Sequence, residues 1–119
     1  MDTVVPSDYF GLVTGKKENK IEKAGVHVTR SSFVDAPVID EYRLTFECNV
    51  IEMREALGEM HVVGEVVNMQ ADESILDQQE TVDLGLLRPI SFDPATHSYR
   101  VLGEIVGKAF EDGKKLSKS

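Results

Sequence analysis

The sequence has no tryptophan, one cysteine, three histidines and no block of basic residues. Cys48, alone, excludes an internal disulfide and a cysteine-based metal site. His27, His61 and His97 lie far apart with no i, i+4 partner, so no histidine metal motif is written into the chain. Thirteen basic residues stand against 21 acidic ones, a formal net charge of -8. That balance argues against a phosphate-tracking nucleic-acid surface and against attraction to anionic membranes. A small anion can still bind through local backbone donors and one or two cations. No apolar run approaches the ~18 residues that a membrane helix needs. The N-terminus lacks the basic-then-apolar pattern of a secretory signal, and the cytoplasm is the expected compartment. A Gly-x-Ser-x-Gly elbow is also missing, which leaves nucleophilic hydrolysis without support.

What is present is an ordinary globular composition, 41% hydrophobic and 29% charged over 119 residues, with enough apolar surface for one core. Length predicts a single domain over 1–119. Pro6 and Ser7 open a short helical pattern carrying Tyr9, Phe10 and Val13, with Gly15 placed to end it. Residues 16–25 predict a second short helix closed by Gly25. Val26 to Arg30 reads as extended, and Ala36-Pro37 marks a turn or a sheet edge.

The clearest strand is Tyr42 to Ile51, where Tyr42, Leu44, Phe46, Cys48 and Val50 alternate with Arg43, Thr45, Glu47 and Asn49. Cys48 is expected to be a buried, inert thiol on that apolar face. A charged loop from Glu52 to Gly58 should lead into a second strand, His61 to Met69, paired back as a long hairpin. Val62, Val63, Val66, Val67 and Met69 put apolar groups on both faces of this strand. Such a strand is buried on both sides, or covered on one side by a partner subunit. Residues 71–80 are polar enough to predict a surface excursion. Val82 to Leu87 predicts a short helix ended by Pro89, and Ile90 to Phe92 and Tyr99 to Leu102 predict two short strands around Asp93-Pro94. Glu104 to Lys115 predicts an amphipathic C-terminal helix.

Generic chemical motifs are sparse. Gly11 to Lys16 has one residue too few between its glycines for a phosphate loop, no hydroxyl residue after the lysine and no strand before it. Glu52, Glu55 and Glu59 crowd the hairpin end and read as a solvated acidic tip rather than paired catalytic carboxylates.

Five segments, taken in order, carry a more specific signal. Asp8-Tyr9-Phe10-Gly11 with Thr14-Gly15-Lys16 resembles the D-Y-F-G-x-x-S-G-K of the flavin reductase-like family, with threonine for serine. This first segment continues into Asn19-Lys20-Ile21 followed by Gly25, similar to the family's D-K-F-x-x-x-G. Asp35-Ala36-Pro37, then Leu44-Thr45-Phe46-Glu47-Cys48, resemble its D-A-P and L-x-x-E-C. Gly64-Glu65-Val66 with Ala71 to Ser74 comes next, and Arg88-Pro89-Ile90, Tyr99, Gly103 and Gly107 to Phe110 complete the set. The chain thus resembles the later part of an FMN-binding split-barrel domain, the flavoredoxin subgroup in particular, over about residues 6 to 115.

The resemblance implies an α+β fold: part of a split β-barrel of mostly antiparallel strands, with short flanking helices and a C-terminal helix. It implies a homodimer, FMN as cofactor and NADH or NADPH as electron donor, with electrons passing between nicotinamide, flavin and an acceptor. Thr14, Gly15, Lys16 and Lys20 fall near the family's flavin site. A capped helix end with solvated lysines is the alternative reading of the same four residues. His61 lies two residues from the place where relatives carry a histidine by the nicotinamide pocket, and two residues along a strand keep the same face. Much of the family's flavin contact comes from elements that would precede residue 1. The chain is therefore expected to be a truncated or partial form of that domain, or a barrel completed by a second copy. A non-catalytic dimerisation or binding module that kept the fold without the cofactor is the second functional expectation.

Overall fold

A computed structural model describes residues 3–12 and 19–117. Helix α1 (Val4–Leu12) is followed by α2 (Lys20–Ala24) and six strands: β1 (Val28–Arg30), β2 (Pro37–Ile39), β3 (Leu44–Ala56), β4 (Glu59–Ala71), β5 (Ile90–Asp93) and β6 (Ser98–Val101). A 3-10 turn, Glu73–Ile75, and helix α3 (Leu84–Leu87) lie between β4 and β5, and α4 (Lys114–Ser117) closes the chain. The strands form three antiparallel pairs, β1–β2, β3–β4 and β5–β6. This is an α+β architecture, as the sequence predicts.

Local chemistry accounts for most boundaries. Asn19 caps α2, its side chain accepting from the Glu22 amide, and Gly25 leaves the helix in the left-handed region at φ 71°. Asparagine and aspartate cap about equally well, so Asn19 keeps the local structure that an aspartate would provide. Pro37 occupies the first position of a two-stranded edge, where its missing N–H costs no ladder bond. Asp83 caps α3 by accepting from the Gly85 and Leu86 amides, and Arg88 ends it at φ 53° before Pro89.

The long hairpin is present and longer than the sequence predicts. The charged stretch from Glu52 is not a loop: β3 runs to Ala56 and pairs through Arg54↔His61 and Ala56↔Glu59. The reversal is confined to Leu57 (φ 53°) and Gly58 (φ 79°), two positive-φ residues of the kind that match hairpin twist. The glutamates stay in the strand because an exposed two-stranded ribbon tolerates charges on its faces. Register shifts between Glu47 and Cys48 and between Val50 and Glu52 break the strict alternation. At the second of them, Gly64 pairs with Val50 and lacks the Cβ that would stand 3.2 Å from the Cys48 Cβ.

Three other expectations are corrected. Cys48 is exposed rather than buried, and the inward side chain of this stretch is Glu47. Residues 71–80 contain Ile75, which is 0% exposed, because the 3-10 turn folds it under the Leu76↔Val82 bridge. The C-terminal helix spans only Lys114–Ser117. Glu104 to Lys108 has no regular structure, and Ile105, Val106 and Phe110 are 94%, 93% and 92% exposed. An amphipathic helix needs a surface on which to bury its apolar stripe, and the described residues offer this segment none.

The buried residues among those described are Val26, Ile75, Ser31 and Glu47. Large apolar side chains on both long strands, Phe46, Val50, Met53, Val62 and Val66 among them, stay more than half exposed. The radius of gyration is 18.1 Å. A compact chain of this length would have roughly 13–14 Å. The hairpin therefore presents an apolar surface of a kind that marks an interaction site in a soluble protein.

Candidate functional site

Thr14, Gly15 and Lys16 lie outside the described residues. Lys20, half-buried at the start of α2, donates from Nζ to the Phe10 carbonyl at 2.8 Å. That bond satisfies a carbonyl in the last turn of α1, where a cation also complements the helix dipole. His61 is exposed on β4, opposite Arg54 and two residue pairs from the Leu57-Gly58 turn. Its side chain makes no hydrogen bond or ion pair among the described residues. The structure does not join Lys20 and His61: one belongs to the α1–α2 pair, the other to the far end of the hairpin, and they share no partner. These two residues alone do not build a flavin cradle.

What the structure does assemble is a set of polar clasps. Glu47, 3% exposed, accepts from Ser31 Oγ at 2.5 Å on one carboxylate oxygen and from Asn68 Nδ2 on the other. Ser31 Oγ in turn accepts from the amides of Phe33 and Val34. These bonds, with Ser31 foremost and Asn68 next, hold the Glu47 carboxyl below its ordinary range against the opposing effect of burial. The network fastens the turn between β1 and β2 to the long hairpin. Glu47 is the glutamate of the L-x-x-E-C segment. An acidic residue on the polar side of an alternating strand reads as solvated, so its burial was hidden in the pattern.

Helix α1 is held by two hydroxyls. Ser7 Oγ and Tyr42 Oη lie 2.6 Å apart, and Tyr99 Oη donates to Asp8 Oδ1 at 2.7 Å. The Tyr99 ring packs on Phe92 with centroids 5.9 Å apart, and its hydrogen bond to Asp8 raises the phenol pKa. At the open end of β1–β2, Glu41 accepts from the backbone amide and Nδ1 of His27. This contact raises the imidazole pKa and lowers that of the carboxyl. A cavity of about 570 Å³ opens between α1, the start of β3 and the α3–β5 corner. Among the described residues no His, Cys, Asp or Glu group is arranged to hold a metal ion. No described helix is long and apolar enough to cross a membrane.

Residues 3–99 match the flavin reductase like domain, and the chain belongs to that family. An uncharacterised protein of Aquifex aeolicus is 33% identical over 98 residues, 78% of this chain and 50% of the relative. Flavoredoxin of Desulfovibrio vulgaris (Miyazaki F) superposes with a TM-score of 0.84 at 30% identity, covering 93% of this chain and 59% of that one. Flavoredoxin from Methanosarcina acetivorans does so with a TM-score of 0.84 at 32% identity, covering 96% and 60%. The fold is thus α+β and matches part of the split barrel of flavin reductase-like proteins, as the sequence motifs imply. The chain spans about half the length of the curated relative and about three-fifths of each flavoredoxin.

Proposed function

We propose that this chain is an FMN-binding flavoprotein of the flavin reductase or flavoredoxin type, moving electrons between a reduced nicotinamide, FMN and an acceptor. The observation that carries the reading is the superposition on two flavoredoxins over more than nine-tenths of the chain at 30% and 32% identity. In this reading residues 1–119 are one domain, the later part of a flavin reductase-like domain, and the protein acts in the cytoplasm as a homodimer. Thr14, Gly15, Lys16, Lys20 and His61 are its proposed cofactor contacts, with no residue assigned a catalytic role.

Bound FMN would supply the electron-carrying ring, and the chain's part is to bind and orient it. The hydroxyl of Thr14, the Gly15 amide and the Lys16 cation are donor types suited to a phosphate or to the ring carbonyls. For Lys20 to contribute, its ammonium would have to share or leave the Phe10 carbonyl. The exposed hairpin supports the homodimer, since a second copy seated on it would cover Val62 and Val66 and bring a second His61 to the interface.

That same exposed hairpin favours a second reading, a dimerisation or binding module without cofactor. Steady-state oxidation of NADH and NADPH, with FMN added and molar mass measured in parallel, separates the two. FMN-dependent oxidation by a dimer supports the flavoprotein. A dimer that neither binds FMN nor oxidises nicotinamide supports the module.

A further inference from the structure

Three of the five arginines have a carboxylate within ion-pair distance: Arg30 with Asp35 at 2.8 Å, Arg54 with Glu52 at 3.6 Å and Arg100 with Asp93 at 3.0 Å. Arg43 and Arg88 have none among the described residues, and both line the 570 Å³ cavity. In a chain with eight excess negative charges, two guanidiniums in one cavity without an ion pair among the described residues are unexpected. Arg43 Nη2 donates to the Leu87 carbonyl at 2.7 Å, which brings its guanidinium beside the residue that precedes Arg88. Asp72 feels the Arg43 charge at longer range, but its carboxylate is held by the Ser74 amide. The carboxylate in the wall, Glu41, is taken up by His27.

The rest of the lining suits an anion with an apolar body. Ser7 and Tyr42 share one hydrogen bond between their hydroxyls, which leaves one hydroxyl proton to donate elsewhere. Leu86 and Ile90 supply an apolar wall. Guanidinium forks match carboxylate and phosphate oxygens in pairs, and the volume falls within the ~300–1,000 Å³ usual for small-molecule sites.

We propose that this cavity binds a small molecule carrying a carboxylate or phosphate, the anion held between Arg43 and Arg88 and the apolar body against Leu86 and Ile90. The site shares no residue with the proposed flavin contacts, and it stands whether or not the chain binds FMN.

The test titrates the full chain with inorganic phosphate, benzoate and uncharged benzamide and follows backbone amide shifts by NMR. Phosphate and benzoate are expected to give saturable shifts at residues 42–44, 86–88 and 90, with benzoate the tighter, while benzamide gives none. Arg88→Asn is the informative variant, because asparagine tolerates the positive φ at this position and the Arg88 side chain has no hydrogen bond or ion pair among the described residues. It should weaken benzoate at least tenfold with the rest of the spectrum unchanged, and Arg88→Lys should retain part of the affinity. Competition identifies the source of the anion. FMN displacing benzoate where riboflavin does not assigns the arginines to a flavin phosphate, and benzoate retained beside FMN assigns them to a separate molecule. Equal binding of benzamide and benzoate, unchanged affinity in Arg88→Asn, or no saturable shift at these residues would overturn the proposal.

Discussion

The Tyr99 hydroxyl donates to Asp8 Oδ1 at 2.7 Å across a sequence separation of 91 residues, joining the last strand to the first helix. Asp8 opens the D-Y-F-G segment and Tyr99 sits in the last of the five family-like segments. The sequence shows the two as unrelated matches; the fold makes them one contact. Tyr99→Phe keeps the Phe92 packing and deletes this bond. Its expected effect is faster amide exchange in α1 with little change in the β5–β6 pair. Equal loss of protection in both would show that Tyr99 acts by packing alone. The raised phenol pKa means that the contact is whole below the ordinary value of 10.0 and is lost as pH rises through the folded value. Tyrosinate absorbance in an alkaline titration reads this directly.

His27 and Glu41 form a clasp with a definite pH window. The imidazole pKa is raised from 6.5, so its contribution is complete below that value and fades as pH rises through the folded pKa. The carboxyl pKa is lowered from 4.5, so its contribution is complete above that value and fades as pH falls through the folded pKa. The clasp is therefore strongest between about 4.5 and 6.5, and salt should weaken it because both groups meet solvent. Glu41→Gln should return the His27 pKa toward its ordinary value in an NMR titration. An unchanged His27 titration in that variant would contradict the assignment.

Ile75 is the one large side chain among the described residues that is completely buried. Ile75→Ala should cost about 2–5 kcal/mol in denaturant unfolding, the range for deleting a buried aliphatic side chain. A loss under about 1 kcal/mol would mean that the 71–83 segment contributes little to the cooperative fold.

Leu57 is fully exposed and holds a left-handed backbone conformation that an asparagine adopts more easily. Leu57→Asn should raise stability by about 0.5–1 kcal/mol, seen as a higher thermal midpoint. Gly64→Ala should do the reverse, since its new Cβ would meet the Cys48 Cβ at 3.2 Å, and is expected to cost ~1 kcal/mol.

How far the sequence could be read depended on whether a signal was local. Gly25 as a helix terminator, Pro37 at an edge and the pairing of β3 with β4 all follow from backbone preferences of a few residues, and all are seen. Alternation placed Cys48 inside and Glu47 outside. The structure reverses them, because Ser31 and Asn68 satisfy the carboxylate from elements far along the chain. The irregular 104–108 segment departs from expectation for a related reason: its apolar spacing suits a helix, but a stripe becomes a helix only against a surface that receives it. Of the site, the sequence offered Lys20 and His61 by family resemblance. It did not single out Arg43 and Arg88 as a pair, whose significance is that neither has an ion-pair partner among the described residues.

The exposed hairpin makes the proposed dimer testable. Val62 and Val66 point to one face of β4, and Val62→Glu with Val66→Glu should give a monomer in light scattering with far-ultraviolet circular dichroism unchanged. A dimer that survives both changes would place the interface elsewhere.

The central claim is that this chain holds a flavin. It is tested most directly by the visible absorption spectrum of the purified protein after incubation with excess FMN and removal of free flavin. The account predicts retained flavin bands with stoichiometric FMN released on denaturation. A colourless protein whose addition leaves FMN fluorescence unchanged would contradict it.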